Sequence, residues 1–497
     1  MNAPLRRVGV VIMLLFGLLF ANLNWVQGYQ ATAYRTSDYN GRVQVAEYER
    51  PRGKVVVNGT PVASSKETTD ELKFLRTYPT NALYAHIVGY KPVNGAATGI
   101  EKLENDFLSG TADQLFADRL RDLFTGKQTA GGNVELTLSK AAQEAAVKGL
   151  ATNGRTSKGA VVALDPKTGK VLALVSMPSF DPNALVVHDG NAAQAAFDKL
   201  DQDPAKPLLN RALSETFQPG STMKVVASLA ALQAGMTPAT VLTGGSSYTA
   251  PDTDHPIGNA PGVVCPQQLT LKQALTVSCN TAFARMCVEK LNADKVKAAA
   301  QALGFESEPR FTEDGNNVFR TEASHTGDIK DPDGTDDLPL LAQSCIGQAD
   351  VRMTPMQGAL IAAAVANYGT QLRPYLIEKR QSPDLTTMDT GQPKTLRESA
   401  NAQAARDLQD MMISVVDKGT GQSAQIAGFR VGGKTGTAEN EEKAGDHGWF
   451  IGFVMKGDVP IAAVAVLLER AGKGGSHEAA SIAGDVMKAI LAERGLR

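Results

Sequence analysis

Phe217-Gln218-Pro219-Gly220-Ser221-Thr222-Met223-Lys224 joins a Pro-Gly break to a run rich in Ala, Leu and Val, and this junction decides the fold. Pro219 and Gly220 interrupt regular structure, so residues 221–235 read as a helix that opens on Ser221. Lys224 stands one helical turn later on the same face, within side-chain reach of the Ser221 hydroxyl. A serine hydroxyl is a weak nucleophile at neutral pH and needs an adjacent base. A lysine in apolar surroundings, near other cations and a helix N-terminus, loses its proton readily enough to serve. The plain alternative is a Ser221 that caps a helix and a Lys224 that is solvated. One Ser-x-x-Lys arises by chance about once or twice in a chain of this length. The tetrapeptide therefore needs corroboration.

Two further stretches supply it. The helical pattern over 270–288 breaks at Ser278-Cys279-Asn280, where a hydroxyl and an amide two residues apart can both face a cleft. Ser399-Ala400-Asn401 has the same spacing, but it opens a helix in a polar stretch and reads as an exposed cap. The third stretch is Gly432-Gly433-Lys434-Thr435-Gly436-Thr437-Ala438-Glu439. On a strand, Thr435 and Thr437 share one side and Lys434 and Gly436 the other. A missing side chain at Gly436 suits a substrate backbone lying along an edge strand. Hydroxyls beside an ammonium suit a terminal carboxylate. Lys167-Thr168-Gly169 imitates the third motif, but it reads as a turn and precedes the nucleophile. In this order, with gaps of 57 and 156 residues, the three motifs match the serine acyl-transferase set of penicillin-binding proteins and β-lactamases.

Around the motifs the chain reads as alternating elements. Gly159–Leu164 and Lys170–Val175 are apolar runs joined by Asp165-Pro166-Lys167-Thr168-Gly169, which predicts two buried strands and a tight turn. Helical stretches follow at 221–235, 270–288, 293–303, 354–367 and 402–417. Late strands are expected at Thr435–Glu439, Trp449–Val454 and Ile461–Leu468, with a closing helix at 478–494. Strands at both ends with helices between imply an α/β domain of the α+β type, with one sheet joining distant segments. Thr312–Asp337 reads as a loop. Residues 28–155 form a mixed region: strand-like Lys54–Val57, the turn Asn58-Gly59, the strand Val134–Leu138, then an Ala-rich helix capped by Ser139.

Composition excludes several functions. Among 497 residues, 50 basic side chains stand against 52 acidic ones, and no basic run resembles a nucleic-acid groove. The six histidines are scattered, without an HExxH pair or a cluster with cysteine, so no metal is expected. Neither a phosphate loop nor a GxGxxG turn is present, and no cofactor is expected.

Arg6 and Arg7 precede an apolar run from Val8 to Ala21, extended to Val26 past Asn22 and Asn24. This predicts a cytoplasmic tip (1–7), a spanning helix (8–27) and an exported remainder, with Trp25 at the outer interface. The rival is a signal peptide cleaved near Ala31-Thr32-Ala33, roughly ten residues beyond the apolar core. In either case Cys265, Cys279, Cys287 and Cys345 sit where disulfides survive. Four cysteines allow three full pairings, and four free thiols remain an alternative; if one bridge forms, Cys265–Cys279 is the local staple expected.

The chain as a whole resembles the class B penicillin-binding proteins, in particular their actinobacterial A type. The likeness rests on the Met1–Arg7 start and anchor, Arg52-Gly53, Thr98-Gly99-Ile100-Glu101-Lys102, Gly159–Pro182 and Asn210-Arg211-Ala212. It continues through Phe217–Lys224, Ser278–Phe283, Ile346-Gly347-Gln348, Lys434–Glu439 and His447–Phe453. It implies a transpeptidase domain over 156–497 with a mostly antiparallel central sheet, on a pedestal or dimerisation-like region over 28–155. It further implies that Ser221 attacks a peptidoglycan stem, Lys224 takes its proton, Ser278 relays one and Asn280 holds an acyl amide. Lys434 would supply charge, Thr435 and Thr437 would hold the terminal carboxylate beside Gly436, and the backbone N–H groups of Ser221 and Thr437 would form the oxyanion hole. β-Lactams would acylate Ser221, and a polytopic glycan polymerase is an implied partner. Glu439, Asp446 and His447 either face substrate or lie on the surface. A D,D-carboxypeptidase or β-lactamase would carry the same motifs, and a non-catalytic β-lactam sensor or scaffold is the third reading.

Overall fold

The structure is a computed structural model that describes residues 3–30, 34, 47–126, 130–311, 319–439 and 445–496. The cleavage-like triplet Ala31-Thr32-Ala33 lies outside the described residues, as do Met1 and residues 312–318 of the expected loop. Helix α1 (Ala3–Asn24) continues as a π-turn over Trp25–Tyr29. Its 24 residues from Arg6 to Tyr29 are long and apolar enough to cross a bilayer, and its apolar stretch is unburied. The Trp25 and Tyr29 rings stack 4.5 Å apart at its end, where aromatic side chains favour the interface.

The N-terminal region is built on a six-stranded sheet. Strands β1 (Val55–Val57), β2 (Thr60–Glu67) and β3 (Phe74–Thr77) pair antiparallel, and β4 (Asn133–Leu136) runs parallel beside β1. Between them lies Glu101, fully buried, with Arg52 Nε 2.7 Å from one carboxylate oxygen and Arg76 Nε 2.6 Å from the other. Burial alone would raise the Glu101 pKa, but Arg76 and Arg52 outweigh it and hold the carboxyl below its ordinary value. Arg52 and Glu101, both in stretches that carry the family resemblance, thus form the ionic centre of this region. Leaving either charge unpaired in the interior costs about 3–5 kcal/mol.

Helix α2 (Lys140–Thr152) is capped by Ser139, whose Oγ accepts from Ala142 N. Then come β5 (Gly159–Leu164), β6 (Val171–Met177), α3 (Lys224–Gln233), α4 (Leu271–Val277), α5 (Asn280–Glu289) and α6 (Pro355–Ala366). Strands β7 (Ile377–Gln381) and β8 (Thr387–Thr390) follow, then α7 (Ala402–Lys418), β9 (Arg430–Ala438), β10 (His447–Lys456), β11 (Val459–Leu468) and α8 (Gly475–Glu493).

The five-stranded catalytic sheet has the order β9-β10-β11-β5-β6, antiparallel at every pairing. Strands β5, β6 and β11 are almost continuously apolar because both faces of the sheet are covered. In β11, Ala463, Ala465 and Leu467 face the core that holds α6, whereas Ala462, Val464, Val466 and Leu468 face the one that holds α8. All 12 residues of α6 are buried, as its all-round apolar sequence requires.

Two features cross the boundary expected at residue 156. Ala142, Ala146 and Leu150 of α2 pack with Ile482 and Val486 of α8, so this helix belongs to the catalytic layer although it precedes residue 156. The N-terminal sheet, in turn, is completed from far down the chain. Strand β7 pairs antiparallel with β4 and β8 with β7, giving β8-β7-β4-β1-β2-β3.

Candidate active site

Ser221 sits on a turn of 3-10 helix, Gly220–Met223, that leads into α3. Gly220 has φ +52°, and a Cβ there would lie 2.3 Å from Thr437 O. Only glycine lets the backbone before Ser221 pack directly on the third motif. The turn is held from both sides: Gly220 N donates to Gly347 O at 3.0 Å, and Trp449 Nε1 to Gln218 O at 2.9 Å.

The first two motifs meet at the Lys224 amine, and the third joins them through Lys434 at the Ser278 hydroxyl. Lys224 Nζ lies 2.9 Å from Ser221 Oγ, 2.9 Å from Ser278 O, 3.2 Å from Ser278 Oγ and 2.6 Å from Asn280 Oδ1. A carbonyl and an amide oxygen can only accept, so they take both N–H bonds of a neutral amine. Its lone pair is then left for the Ser221 O–H. Burial, and secondarily the charge of Lys434, pushes the Lys224 pKa well below the ordinary lysine value. Lys434 Nζ donates to Ser278 Oγ and to Thr435 O, both at 2.9 Å, and burial lowers its pKa to about 7. The Ser278 hydroxyl thus lies between two lysines, connected through Lys224 to Ser221.

Ser278 adopts φ +61° at the end of α4, and Cys279 begins the next helix as the N-cap of α5. This left-handed step is the break expected from the sequence, and it brings Ser278 and Asn280 to Lys224. Both decoys are structural: Asn401 caps α7 by accepting from Ala404 N, and Gly169 closes the β5–β6 turn at φ +81°.

Cys265–Cys279 is bridged, and so is Cys287–Cys345, a second pair the sequence reading did not choose. The sequence separations of 14 and 58 correspond to about 3 and about 4 kcal/mol of constraint on the unfolded chain. Denatured protein treated with iodoacetamide without reductant is expected to keep its mass, and after reduction to gain one adduct on each of 4 cysteines. Any adduct before reduction removes a bridge from this description.

Strand β9 is an edge of its sheet, as anticipated, and at Gly436 the protein itself leaves no room for a side chain. A Cβ there would come within 2.5 Å of Pro219 O and 2.9 Å of Thr222 Cγ2. The missing side chain makes room for the turn that carries Ser221. The two threonines also differ. Thr435 is buried with its Oγ1 2.5 Å from Thr420 Oγ1, whereas Thr437 is exposed with its Oγ1 3.2 Å from Ser476 Oγ. Thr420, Ser476 and Asn259, which accepts from Asn280 N at 2.9 Å, were not picked out in the sequence. They are single small polar residues outside any motif. Glu439 is exposed, but His447 is half-buried, edge-on to Phe217 at 5.4 Å. Its Nδ1 accepts from Arg470 N and burial lowers its pKa, so it is a packed neutral imidazole with the proton on Nε2.

Residues 159–488 match the model of the penicillin binding protein transpeptidase domain, and residues 52–134 that of the penicillin binding protein A dimerisation domain. This chain belongs to the penicillin-binding proteins. The penicillin-binding protein is 40% identical over 499 residues to the peptidoglycan D,D-transpeptidase PbpA of Mycolicibacterium smegmatis, with 99% of each chain covered. It is 37% identical to PbpA of Mycobacterium tuberculosis over 497 residues, covering 99% of this chain and 98% of that one. The ceftriaxone acyl-enzyme of penicillin-binding protein A from M. tuberculosis superposes with a TM-score of 0.84 at 36% identity, covering 90% of this chain and all (100%) of that one.

Proposed function

We propose that this penicillin-binding protein is a membrane-anchored peptidoglycan D,D-transpeptidase with Ser221 as nucleophile, Lys224 as base and its catalytic domain outside the cytoplasm. The observation that carries the proposal is the buried Lys224 Nζ, which touches Ser221 Oγ, Ser278 and Asn280 at once. The Ser221 oxygen forms a bond to the penultimate D-Ala carbonyl carbon of a stem peptide while its proton passes to Lys224. Backbone N–H groups of Ser221 and Thr437 hold the oxyanion, a contribution of about 3–4 kcal/mol per donor in such sites. As the C–N bond breaks, the proton reaches the departing D-Ala nitrogen by way of Ser278. Asn280 holds the acyl amide, while Lys434, Thr435 and Thr437 hold the terminal carboxylate. An amine from a neighbouring stem then attacks the acyl-enzyme and restores Ser221. A β-lactam enters by the same first step, but its leaving group stays tethered.

The anchor reading is supported by α1 and its terminal aromatic pair, and export by Arg6 and Arg7 at the opposite end. A polytopic glycan polymerase remains the proposed partner. The helix Phe116–Thr125 of the N-terminal region exposes Phe116, Leu120 and Phe124 at intervals of one turn, a stripe that an apolar partner would cover.

The function is tested with a pentapeptide stem ending in D-Ala-D-Ala and an amine acceptor. Release of D-Ala together with the cross-linked amide is expected. Release of D-Ala with hydrolysed donor alone would make the protein a carboxypeptidase, and rapid turnover of penicillin would make it a β-lactamase.

A further inference from the structure

Asn280 opens α5, yet the helix alone places neither its backbone nor its amide. Asn280 N and Thr281 N both donate to Asn259 Oδ1, at 2.9 and 3.3 Å. The Asn280 side chain donates from Nδ2 to Gly258 O at 2.9 Å and accepts on Oδ1 from Lys224 at 2.6 Å. Asn259 is itself braced, for its Nδ2 donates to Gly245 O at 2.9 Å, the oxygen that also accepts from Thr281 Oγ1 at 2.9 Å. Gly245, Gly258 and Asn259 belong to the arm between α3 and α4, where Ser247–Tyr248 pairs with Ile257–Gly258. The Cys265–Cys279 bridge ties the same arm to the second motif.

A carboxamide has two N–H donors, and its orientation is fixed by its partners. With the amide oxygen toward Lys224 and one N–H spent on Gly258 O, a single Nδ2 proton of Asn280 is free for a ligand. We infer that Asn259 is a positioning residue for the acyl donor. Together with the Gly258 carbonyl, it sets the angle at which that proton meets the acyl amide of a stem peptide or penicillin. The inference rests on the transpeptidase reading and deepens it: the arm selects donors that carry an amide next to the scissile carbonyl.

The test is the acylation rate of the full-length protein in detergent. Asn259→Ala is expected to slow acylation by benzylpenicillin about tenfold, a size in keeping with a small misplacement of a reacting group. Asn259→Asp keeps the acceptor for both backbone N–H groups and should recover most of that loss. Acylation by 6-aminopenicillanic acid, which lacks the side-chain amide, should be slowed much less by Asn259→Ala, because only the Asn280 contact with Lys224 is then at stake. In the Asn280→Ala background, Asn259→Ala should add no further loss, because the two act as one unit. Equal slowing with both drugs, or losses that multiply in the double variant, would show a merely structural role and overturn the inference. Benzylpenicillin acylation at the wild-type rate would do the same. If Asn259→Ala gives no cooperative melt, Asn259→Ser takes its place in every arm. Should wild-type protein take up no penicillin at all, the failure belongs to the transpeptidase reading instead.

Discussion

Ser221→Ala is expected to leave the protein folded and to abolish its acylation by penicillin, with catalysis falling on the order of 10⁶-fold, as for other activated serines. Among the described residues no second nucleophile stands ready beside it. The Ser278 hydroxyl is buried and engaged by both lysines, and Lys224 is wholly enclosed. After penicillin treatment of wild-type protein, mass spectrometry should find the drug on the peptide containing Ser221 and on no other. In the variant the intact mass should stay unchanged, with a melting temperature within a few degrees of wild type. A drug adduct that survives the substitution, on Ser278 for example, would move the nucleophile elsewhere and dismantle the mechanism.

Lys224→Ala should cost about 10²–10⁴-fold in acylation rate, the range for a positioned general base. It also leaves Ser278 O and Asn280 Oδ1 without their lysine donor in a buried site, so the melting temperature should fall as well. The sharper signature is pH. Lys224 accepts a proton only when neutral, so acylation should rise as pH climbs through its lowered pKa. Lys434 is useful to a carboxylate only as a cation, so the rate should fall again as it deprotonates at about pH 7. The charge of Lys434 is one of the two causes that depress the Lys224 pKa. Lys434→Ala should therefore move the rising limb to higher pH, in addition to weakening carboxylate-bearing ligands. A limb that moves lower, or stays, would mean that Lys224 is not the group being titrated.

Much of this arrangement was legible because the sequence used strong signals. The runs Gly159–Leu164 and Ile461–Leu468 are apolar at every position or nearly so, which suits a strand covered on both faces. Pro219-Gly220 and Ser278 mark sharp changes of backbone direction, and both occur where the chain must present a side chain to Lys224. The illegible parts had weaker marks. Strand β7 reads Ile-Glu-Lys-Arg-Gln and is half-buried along its length, so no alternation betrays it. Its place in the N-terminal sheet comes from pairing with β4, a contact across more than 200 residues that local pattern does not carry. Cys287 and Cys345 could be matched only once α5 and the helix Leu338–Ser344 were packed together. Gly436 was recognised as necessary, but that Pro219 would lie against its bare side depended on how the chain folds.

Because β7 and β8 complete a sheet begun by β1, that sheet cannot close until the chain has been made as far as β8. When β4 is first made its outer edge is unpaired, and the strand that covers it lies some 240 residues further along the chain. Through that interval an open edge stands ready to accept a wrong strand, which makes this the aggregation-prone phase of biogenesis. For the same reason no cut in the chain divides the pedestal from the enzyme. A fragment ending before Ile377 lacks a third of the strands in that sheet, and one beginning after Leu136 carries two strands with nothing to join.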